Sequence, residues 1–315
     1  MLLYIARRTV EFTASLALAS VAIFAFMAVL PGDPAQVALG VNATPAALAE
    51  TRARFGTDKP LLTQYFDWVS GLPRGDFGRS YVTDEAVGGQ ILDRLPVTLW
   101  LVISAMVLAI AVAVPLGVLA ALRHRRLSGV FLSGLSQAGV AIPSFLAGIL
   151  LVSLFAVRLR LLPSSGWTAP VENPIEFGRH LVLPVLSLAA VQAAILTRYV
   201  RSSILDVLRE DYLRTARAKG MGARRALVRH GFRNAAIPVV TVLGLQLATL
   251  LIGAVVVERV FVIPGLGSLL LDGTANRDLL LVRGVVMVLV VAVLLVNFLV
   301  DLLYPVIDPR LRVAR

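Results

Sequence analysis

Apolar residues in this chain occur in long uncharged stretches separated by polar connections. Six stretches contain no Asp, Glu, Lys, Arg or His: residues 12–30, 95–122, 127–157, 181–197, 235–257 and 284–300. Most of them reach the roughly 17–25 residues that an α-helix needs to cross a bilayer core, and the two shortest lie at that lower limit. The pattern predicts an all-α integral membrane protein with six transmembrane helices.

The six spans are expected in one transmembrane domain that covers residues 1–315. We place them at about residues 10–30, 95–122, 130–157, 181–200, 235–257 and 283–303. A seventh apolar stretch, residues 260–271, is too short for a span and contains Pro264, Gly265 and Gly267. Its length and composition indicate a re-entrant or interfacial segment.

The composition agrees with a membrane protein. Hydrophobic residues make up 58% of the chain and charged residues only 16%, against about 25% charged residues in a typical soluble domain. The absence of cysteine excludes disulfides and thiolate metal sites. The first apolar stretch resembles a signal peptide, but its length and the lack of a small-residue cleavage site favour an uncleaved span.

The net charge of +11 is distributed unevenly between alternate connections. Residues 1–11, 123–126, 198–233 and 301–315 together carry +12, whereas residues 31–94, 158–179 and 258–283 carry −1. The positive-inside rule makes the first set cytoplasmic, with both termini on that side. Topology and attraction to anionic membrane lipid therefore explain the basic charge, and we expect no nucleic-acid partner.

One connection, residues 211–238, concentrates seven Lys and Arg residues between two apolar runs. Leu205, Leu208, Tyr212 and Ala216 recur near helical spacing, and Gly220 then ends the pattern. This predicts a helix–turn–helix elbow at the cytoplasmic surface, with an apolar face and a cationic face. Amphipathicity alone supports two interpretations equally: a helix pair anchored to lipid headgroups, or a docking elbow for a soluble partner.

The sequence contains no recognisable catalytic machinery. Its two lysines, Lys59 and Lys219, do not follow a glycine, so no phosphate-binding loop of the Gly-Lys-Ser/Thr type is present. The three histidines lie in different connections without metal-ligand spacing. We therefore predict no catalytic residue, no metal site and no bound cofactor in this chain.

Two classes of membrane protein can be tested against the residues of the six apolar stretches. A self-sufficient secondary transporter or channel would be expected to carry an ionisable group within its spans, and the six apolar stretches have none. A membrane-embedded enzyme would need a catalytic pair at matched depth, which the sequence does not offer. The residues therefore support neither class.

Several motifs resemble the permease subunits of dipeptide/oligopeptide ABC importers, in particular the first of their two permeases. The elbow carries "DYLRTARAKG" (211–220) followed by "RHGFRNAAIPVVT" (229–241). Further motifs occur in the same order as in that family: "LPGDPA" (30–35), "RLPVTLWL" (94–101), "VERVFVIPGLGSLL" (257–270) and "LVDLLYPVIDPR" (299–310). The resemblance covers essentially the whole chain.

This resemblance implies a type I ABC importer permease in a bacterial cytoplasmic membrane. Its expected partners are a second homologous permease, two ATPase subunits that bind ATP and Mg²⁺, and an extracytoplasmic substrate-binding protein. The cytoplasmic loop 201–234 would contain the ATPase-coupling segment 206–221. The family's coupling positions correspond here to Asp211, Tyr212, Leu213, Ala216, Arg217, Lys219 and Gly220.

Two further expectations concern substrate. The extended extracytoplasmic loop 31–94 is either a surface for the binding protein or a solvated connector. Small polar residues within the spans are candidates for the translocation path: Ser136, Gln137, Ser144, Gln192 and Gln246. Interhelical hydrogen bonding is the alternative role for each of them. The family's cargoes include dipeptides, oligopeptides, glutathione, nickel chelates and haem, and the sequence does not distinguish them.

Overall fold

The computed structural model describes residues 2–30, 32–40 and 43–307. Apart from an isolated bridge between Arg79 and Ala86, its regular structure is helical. The α-helices are α1 (Leu2–Val29), α2 (Pro34–Leu39), α3 (Pro45–Phe55), α4 (Leu61–Gly71), α5 (Val87–Leu122), α6 (Leu127–Ala141), α7 (Ser144–Leu151), α8 (Pro174–Leu208), α9 (Asp211–Ala218), α10 (Ala223–Ala226), α11 (Phe232–Val260), α12 (Leu266–Ala275) and α13 (Leu279–Ile307). Short 3₁₀ or π segments occupy Leu72–Arg74, Val152–Arg158 and Leu227–Gly231.

Among the described residues, five helical stretches are long and apolar enough to cross a membrane. They are Leu3–Val29, Val87–Leu122, Pro174–Leu208, Arg224–Val260 and Leu279–Leu303. A sixth results if the bent pair Leu127–Ala141 and Ser144–Arg158 forms one span. These helices confirm the prediction of an all-α membrane protein.

The third predicted span, residues 130–157, differs from a continuous helix. Its two halves meet at an angle of 97°, and the break lies at Ile142 and Pro143. Ile142 is extended, with φ −92° and ψ 119°, because the ring of a following proline disfavours the helical conformation at the preceding residue. Pro143 also has no N–H to continue the hydrogen-bond ladder. The proline therefore accounts for the bend.

The helices group into two compact units. The first unit comprises the described residues within 1–5, 99–263 and 296–315. Within it, α8 is the central helix and packs against α6, α7 and α11. Small residues permit these close crossings: a Cβ on Gly117 would lie 2.7 Å from Val200, and a Cβ on Gly139 would lie 2.8 Å from Ala194. Small residues at helix crossings are typical of membrane bundles.

The second unit comprises the described residues within 6–98 and 264–295. The described part of loop 31–94 contains α2, α3, α4 and a 3₁₀ turn before α5 begins. Its apolar side chains are not all solvated: Trp68 is 6% exposed and packs with Ile23, Phe24 and Met287. This segment is therefore folded onto the helices of its own unit.

A single buried carboxylate starts α13 and holds the turn that precedes α5. Asp278 is 2% exposed and accepts hydrogen bonds from the backbone N–H groups of Tyr81 at 3.2 Å and Leu281 at 3.3 Å. Its other carboxylate oxygen accepts a hydrogen bond from the hydroxyl of Ser80. A carboxylate at this position satisfies a first-turn N–H and interacts favourably with the helix dipole. One side chain thus joins two segments 197 residues apart.

We predict that Asp278→Ala lowers the free energy of unfolding in detergent by about 2–4 kcal/mol, because buried donors lose their acceptor. Asp278→Asn should have a smaller effect, since it keeps one acceptor oxygen. Thermal unfolding of the purified protein measures both. Asp93→Ala, at an exposed site on α5, is the control and should change stability by less than about 0.5 kcal/mol. Equal effects of the two alanine substitutions would contradict this role of Asp278.

Candidate functional site

The predicted coupling segment, residues 206–221, contains a helix boundary that the sequence did not indicate. The apolar spacing suggested one helix up to Gly220, but α8 ends first and α9 is a separate helix. Glu210 between them has an extended backbone, with φ −64° and ψ 141°. Asp211 in the first turn of α9 and Arg217 in its last turn both interact favourably with the helix dipole.

The apolar face of α9 is buried within the protein itself. Leu213 is fully buried and Ala216 is 6% exposed. They belong to a cluster in the first unit with Ala121, Val200, Ile204, Val207, Ala226, Leu227 and Ala235. Leu213 and Ala216 therefore fix α9 on its own chain, and their side chains are not available as a contact surface.

Gly231 makes this packing possible, although it was not among the predicted coupling residues. A Cβ at Gly231 would lie 2.9 Å from both Val207 and Leu227, and 3.2 Å from Leu213. The backbone within the second half of the elbow therefore approaches α8 and α9 at a distance that only glycine permits without movement of its neighbours. The only available signal in the sequence was a glycine within an otherwise helical pattern.

The turn after α9 is a Schellman motif, a common way to end a helix. The N–H of Gly220 bonds to the carbonyl of Arg217 at 3.0 Å, and the N–H of Met221 bonds to that of Ala216 at 3.2 Å. Gly220 has φ +89°, a conformation that glycine adopts at the lowest cost. A Cβ at this position would meet no atom within 4 Å, so Gly220 faces open space.

The other predicted coupling residues form an exposed polar surface. Those classed as exposed are Asp211, Tyr212, Arg217, Lys219 and Gly220. Tyr212 is 38% exposed, and its hydroxyl accepts a hydrogen bond of 2.9 Å from the side-chain amide of Asn234. We call these five residues the α9 surface. It presents both charge signs and one aromatic side chain on a short, firmly anchored helix.

The α9 surface is connected to two long apolar helices. The hydroxyl of Ser203 on α8 donates a buried hydrogen bond of 2.7 Å to the carbonyl of Ala235 on α11. Ile204 and Ala235 also share the cluster that holds Leu213. Because protein cores are close-packed, a displacement of α9 would be transmitted to α8 and α11. This arrangement is suited to mechanical coupling.

Two candidates for the translocation path, Gln192 and Gln246, are brought together. They are 4% and 9% exposed, and the amide of Gln246 donates a hydrogen bond to the side-chain carbonyl of Gln192. This contact joins α8 and α11. It matches the alternative role, an interhelical hydrogen bond that satisfies buried polar groups.

The remaining three candidates lie on α6 and at the start of α7. The hydroxyl of Ser136 bonds to the carbonyl of Leu132 in its own helix at 3.0 Å. Gln137 is exposed on α6, and Ser144 is partly buried at the start of α7. The structure thus assigns Ser136 a hydrogen-bond partner within its own helix.

Sequence reasoning also missed a buried carboxyl group near the end of α11. Glu258 is fully buried, although the sequence pattern placed it in the connection after the fifth span, because its charge ended the apolar run. Within the described residues, no group of three or more His, Cys, Asp or Glu side chains is arranged to hold a metal ion.

Comparisons with known proteins identify the family of membrane proteins to which this chain is similar. Residues 113–313 match the family described as "binding-protein-dependent transport system inner membrane component", and residues 1–102 match the N-terminal region of such components. The chain is 38% identical over 312 residues to the glutathione transport system permease proteins of Escherichia coli K12, Shigella dysenteriae and Salmonella typhimurium. Each alignment covers 99% of both chains.

Members of this family are non-catalytic subunits of the inner membrane. They work with ATPase subunits, a partner permease and a binding protein, and ATP is bound by the ATPases. The two matched regions together extend over nearly the whole sequence. This chain is therefore a member of the binding-protein-dependent transport system inner membrane component family, a multi-pass permease subunit of an ABC importer.

Proposed function

We propose that this chain is the first permease subunit of an importer for short peptides or peptide-like solutes, including glutathione. The observation that carries this proposal is the 38% identity to glutathione permeases across 99% of both chains. The motifs that resemble dipeptide/oligopeptide permeases point to the same class of cargo. The chain would form half of the translocation path, and the partner permease would form the other half.

The α9 surface is proposed as the contact with an ATPase subunit. Its position on an anchored helix supports this role, as does its connection to α8 and α11 through a shared core. Asp211, Tyr212, Arg217, Lys219 and Gly220 would meet the ATPase, whereas Leu213 and Ala216 would transmit its motion inward. In this proposal the elbow and both termini are cytoplasmic, and loop 31–94 faces the binding protein.

The cargo is tested by uptake in cells that lack this gene. Restoring the chain with its native partners should restore import of labelled glutathione or of a labelled dipeptide, and unlabelled peptide should compete. Uptake of free glycine serves as the control and should not change. Import of a non-peptide solute alone would contradict the cargo class. Transport by the purified chain without any ATPase would instead indicate a self-sufficient transporter.

We predict that Gly220→Trp abolishes ATPase association or peptide uptake without unfolding the protein. The site is open, so a Cβ there meets no atom of this chain, and the positive φ costs only about 1–2 kcal/mol. Copurification of the ATPases and peptide uptake measure the effect. Gly178→Trp is the matched control, because Gly178 also has open space around its Cβ but lies on α8 away from the elbow. Full activity of Gly220→Trp would exclude the α9 surface as the ATPase contact.

The proposed orientation is testable because the chain contains no cysteine. Lys219→Cys, on the α9 surface, should react with a membrane-impermeant maleimide only after the cells are opened. Arg74→Cys, in loop 31–94, should react from the outside once the outer barrier is permeabilised. Both native residues are exposed, so reactivity reports the side of the membrane. The reverse labelling pattern would overturn the proposed topology.

A further inference from the structure

Arg283 is a partly buried cation whose environment is not explained by the transporter function. It lies in the first turns of α13, within the candidate span Leu279–Leu303. Its Cζ atom is 4.5 Å from the centroid of the Trp68 ring and 5.3 Å from that of Phe24. All three residues belong to the second unit. These cation–π contacts stabilise the charge, but they satisfy none of the N–H donors of the guanidinium group.

Two donors in this contact have no acceptor among the described residues. They are Nε of Arg283 and Nε1 of Trp68, both buried. Buried donors in proteins are nearly always hydrogen-bonded, and an exception requires an explanation. Here the two exceptions belong to side chains in direct contact, which indicates one shared cause. Both groups can only donate, so the missing partner is an acceptor.

Three carboxylates on the segments around this contact already have partners. Asp76, which lines a cavity together with Arg283, accepts a hydrogen bond of 2.9 Å from the backbone N–H of Gly78. Asp67 lines a cavity together with Arg283 but is held by Lys59, with 2.9 Å between Nζ and Oδ2. Asp278 is already occupied by the backbone N–H of Tyr81 and by the hydroxyl of Ser80. Arg283 also has no ion pair in the described part of the chain. Burying part of a cation without a paired anion is costly.

Two cavities border Arg283. One of about 180 Å³ and one of about 290 Å³ share the lining residues Gln64, Tyr81, Leu280 and Arg283. Burial raises the pKa of the Tyr81 hydroxyl, although the charge of Arg283 opposes this shift. Tyr81 therefore stays neutral at physiological pH and can donate a hydrogen bond. The side chains around the shared wall thus offer donors from a guanidinium and a phenol, whereas the amide nitrogen of Gln64 already donates to the carbonyls of Thr57 and Lys59.

We propose that the second unit binds an oxyanion, a carboxylate or a phosphate group, at Arg283 between these cavities. Such a group matches the fork of guanidinium N–H donors and supplies the negative charge that the protein does not provide. The combined volume accommodates a small anion or a headgroup rather than a folded partner. The site is separate from the α9 surface, which belongs to the first unit, so it does not depend on the proposed coupling role.

The oxyanion has two chemical sources. The smaller cavity is lined by Met27 and Ala28 at the end of α1 and by Leu279 at the start of α13, where apolar spans end and lipid headgroups lie. A phospholipid phosphate could therefore reach Arg283. Thr57 and Gln64 also line this cavity, and a soluble carboxylate could enter through this polar side.

The test uses the purified full-length protein in detergent, after lipid depletion. Its thermal midpoint is measured against sodium acetate, with acetamide plus equal sodium chloride as the neutral control. Inorganic phosphate is tested in the same way. The lipid arm compares phosphatidylglycerol with a diacylglycerol that has the same chains but no phosphate. A ligand that binds only the folded state raises the midpoint with increasing concentration.

We expect at least one anionic probe to raise the midpoint of the native protein. Arg283→Met keeps the apolar stem and should weaken binding roughly 10- to 100-fold, as expected for a lost charge-assisted hydrogen bond. Arg283→Lys should bind less tightly than the native protein, because lysine retains the charge but lacks the fork. Arg74→Met, an exposed arginine of the same unit, should respond like the native protein.

The outcomes distinguish a lipid headgroup from a soluble oxyanion, and either of these from a site that binds no anion. Stabilisation by phosphatidylglycerol alone identifies a lipid headgroup, and stabilisation by acetate or inorganic phosphate identifies a soluble oxyanion. If Arg283→Met does not fold, Trp68→Phe provides the second variant, since it keeps a ring beside Arg283 and removes the Nε1 donor. It should weaken binding measurably. No response to any anion, or a response in the arginine and tryptophan variants equal to that of the native protein, would overturn the proposal and leave Arg283 a purely structural cation.

Discussion

Hydrocarbon offers no hydrogen-bond partners, so every backbone N–H and C=O within a bilayer must be satisfied by the protein itself. Helices meet this requirement within one segment, and the described residues use them almost throughout. At two places where the helical backbone is interrupted, one specific residue accounts for the interruption. Pro143 removes a donor and produces a bend of 97°, and Asp278 supplies acceptors where α13 begins.

The same constraint explains the basic elbow. Its arginines are too costly for the bilayer centre, so they lie in a connection, yet that connection is not a loose loop. Leu213 and Ala216 bury the apolar face of α9 in the cluster that also holds parts of α8 and α11. A charged surface is thereby attached to the long helices by close packing. This combination supports a role in force transmission better than a role in lipid anchoring alone.

Arg283 is an exception to the separation of charge from apolar helices. It stacks on Trp68 and Phe24 rather than extending away from the second unit, and its Nε has no acceptor among the described residues. Aromatic rings reduce the cost of the charge, but they cannot replace an acceptor. Buried polar groups such as Gln192 and Gln246 find partners in one another. Nε of Arg283 and Nε1 of Trp68 find none among the described residues, which is the basis of the proposed oxyanion site.

The sequence by itself determined the membrane class, the approximate number of spans and the family. Long uncharged stretches have few physical interpretations other than membrane spans. Several motifs occur in the same order as in the permease family, which indicated the family. It also located the elbow and the glycine that ends its first helix, because Gly220 follows a helical pattern. It did not locate the boundary between α8 and α9, since apolar spacing continues across residues 209 and 210 although the backbone at Glu210 is extended.

Only the tertiary structure decided which residues are buried inside the protein and which remain exposed. The sequence treated Leu213 and Arg217 as equivalent coupling residues, but packing buries the first and leaves the second exposed. Sequence reasoning did not single out Gly231, Glu258 or Arg283. The importance of Gly231 and Arg283 depends on neighbours far away in the chain, Val207 for the first and Trp68 for the second. Periodicity reports the environment along one helix, whereas these contacts arise between helices.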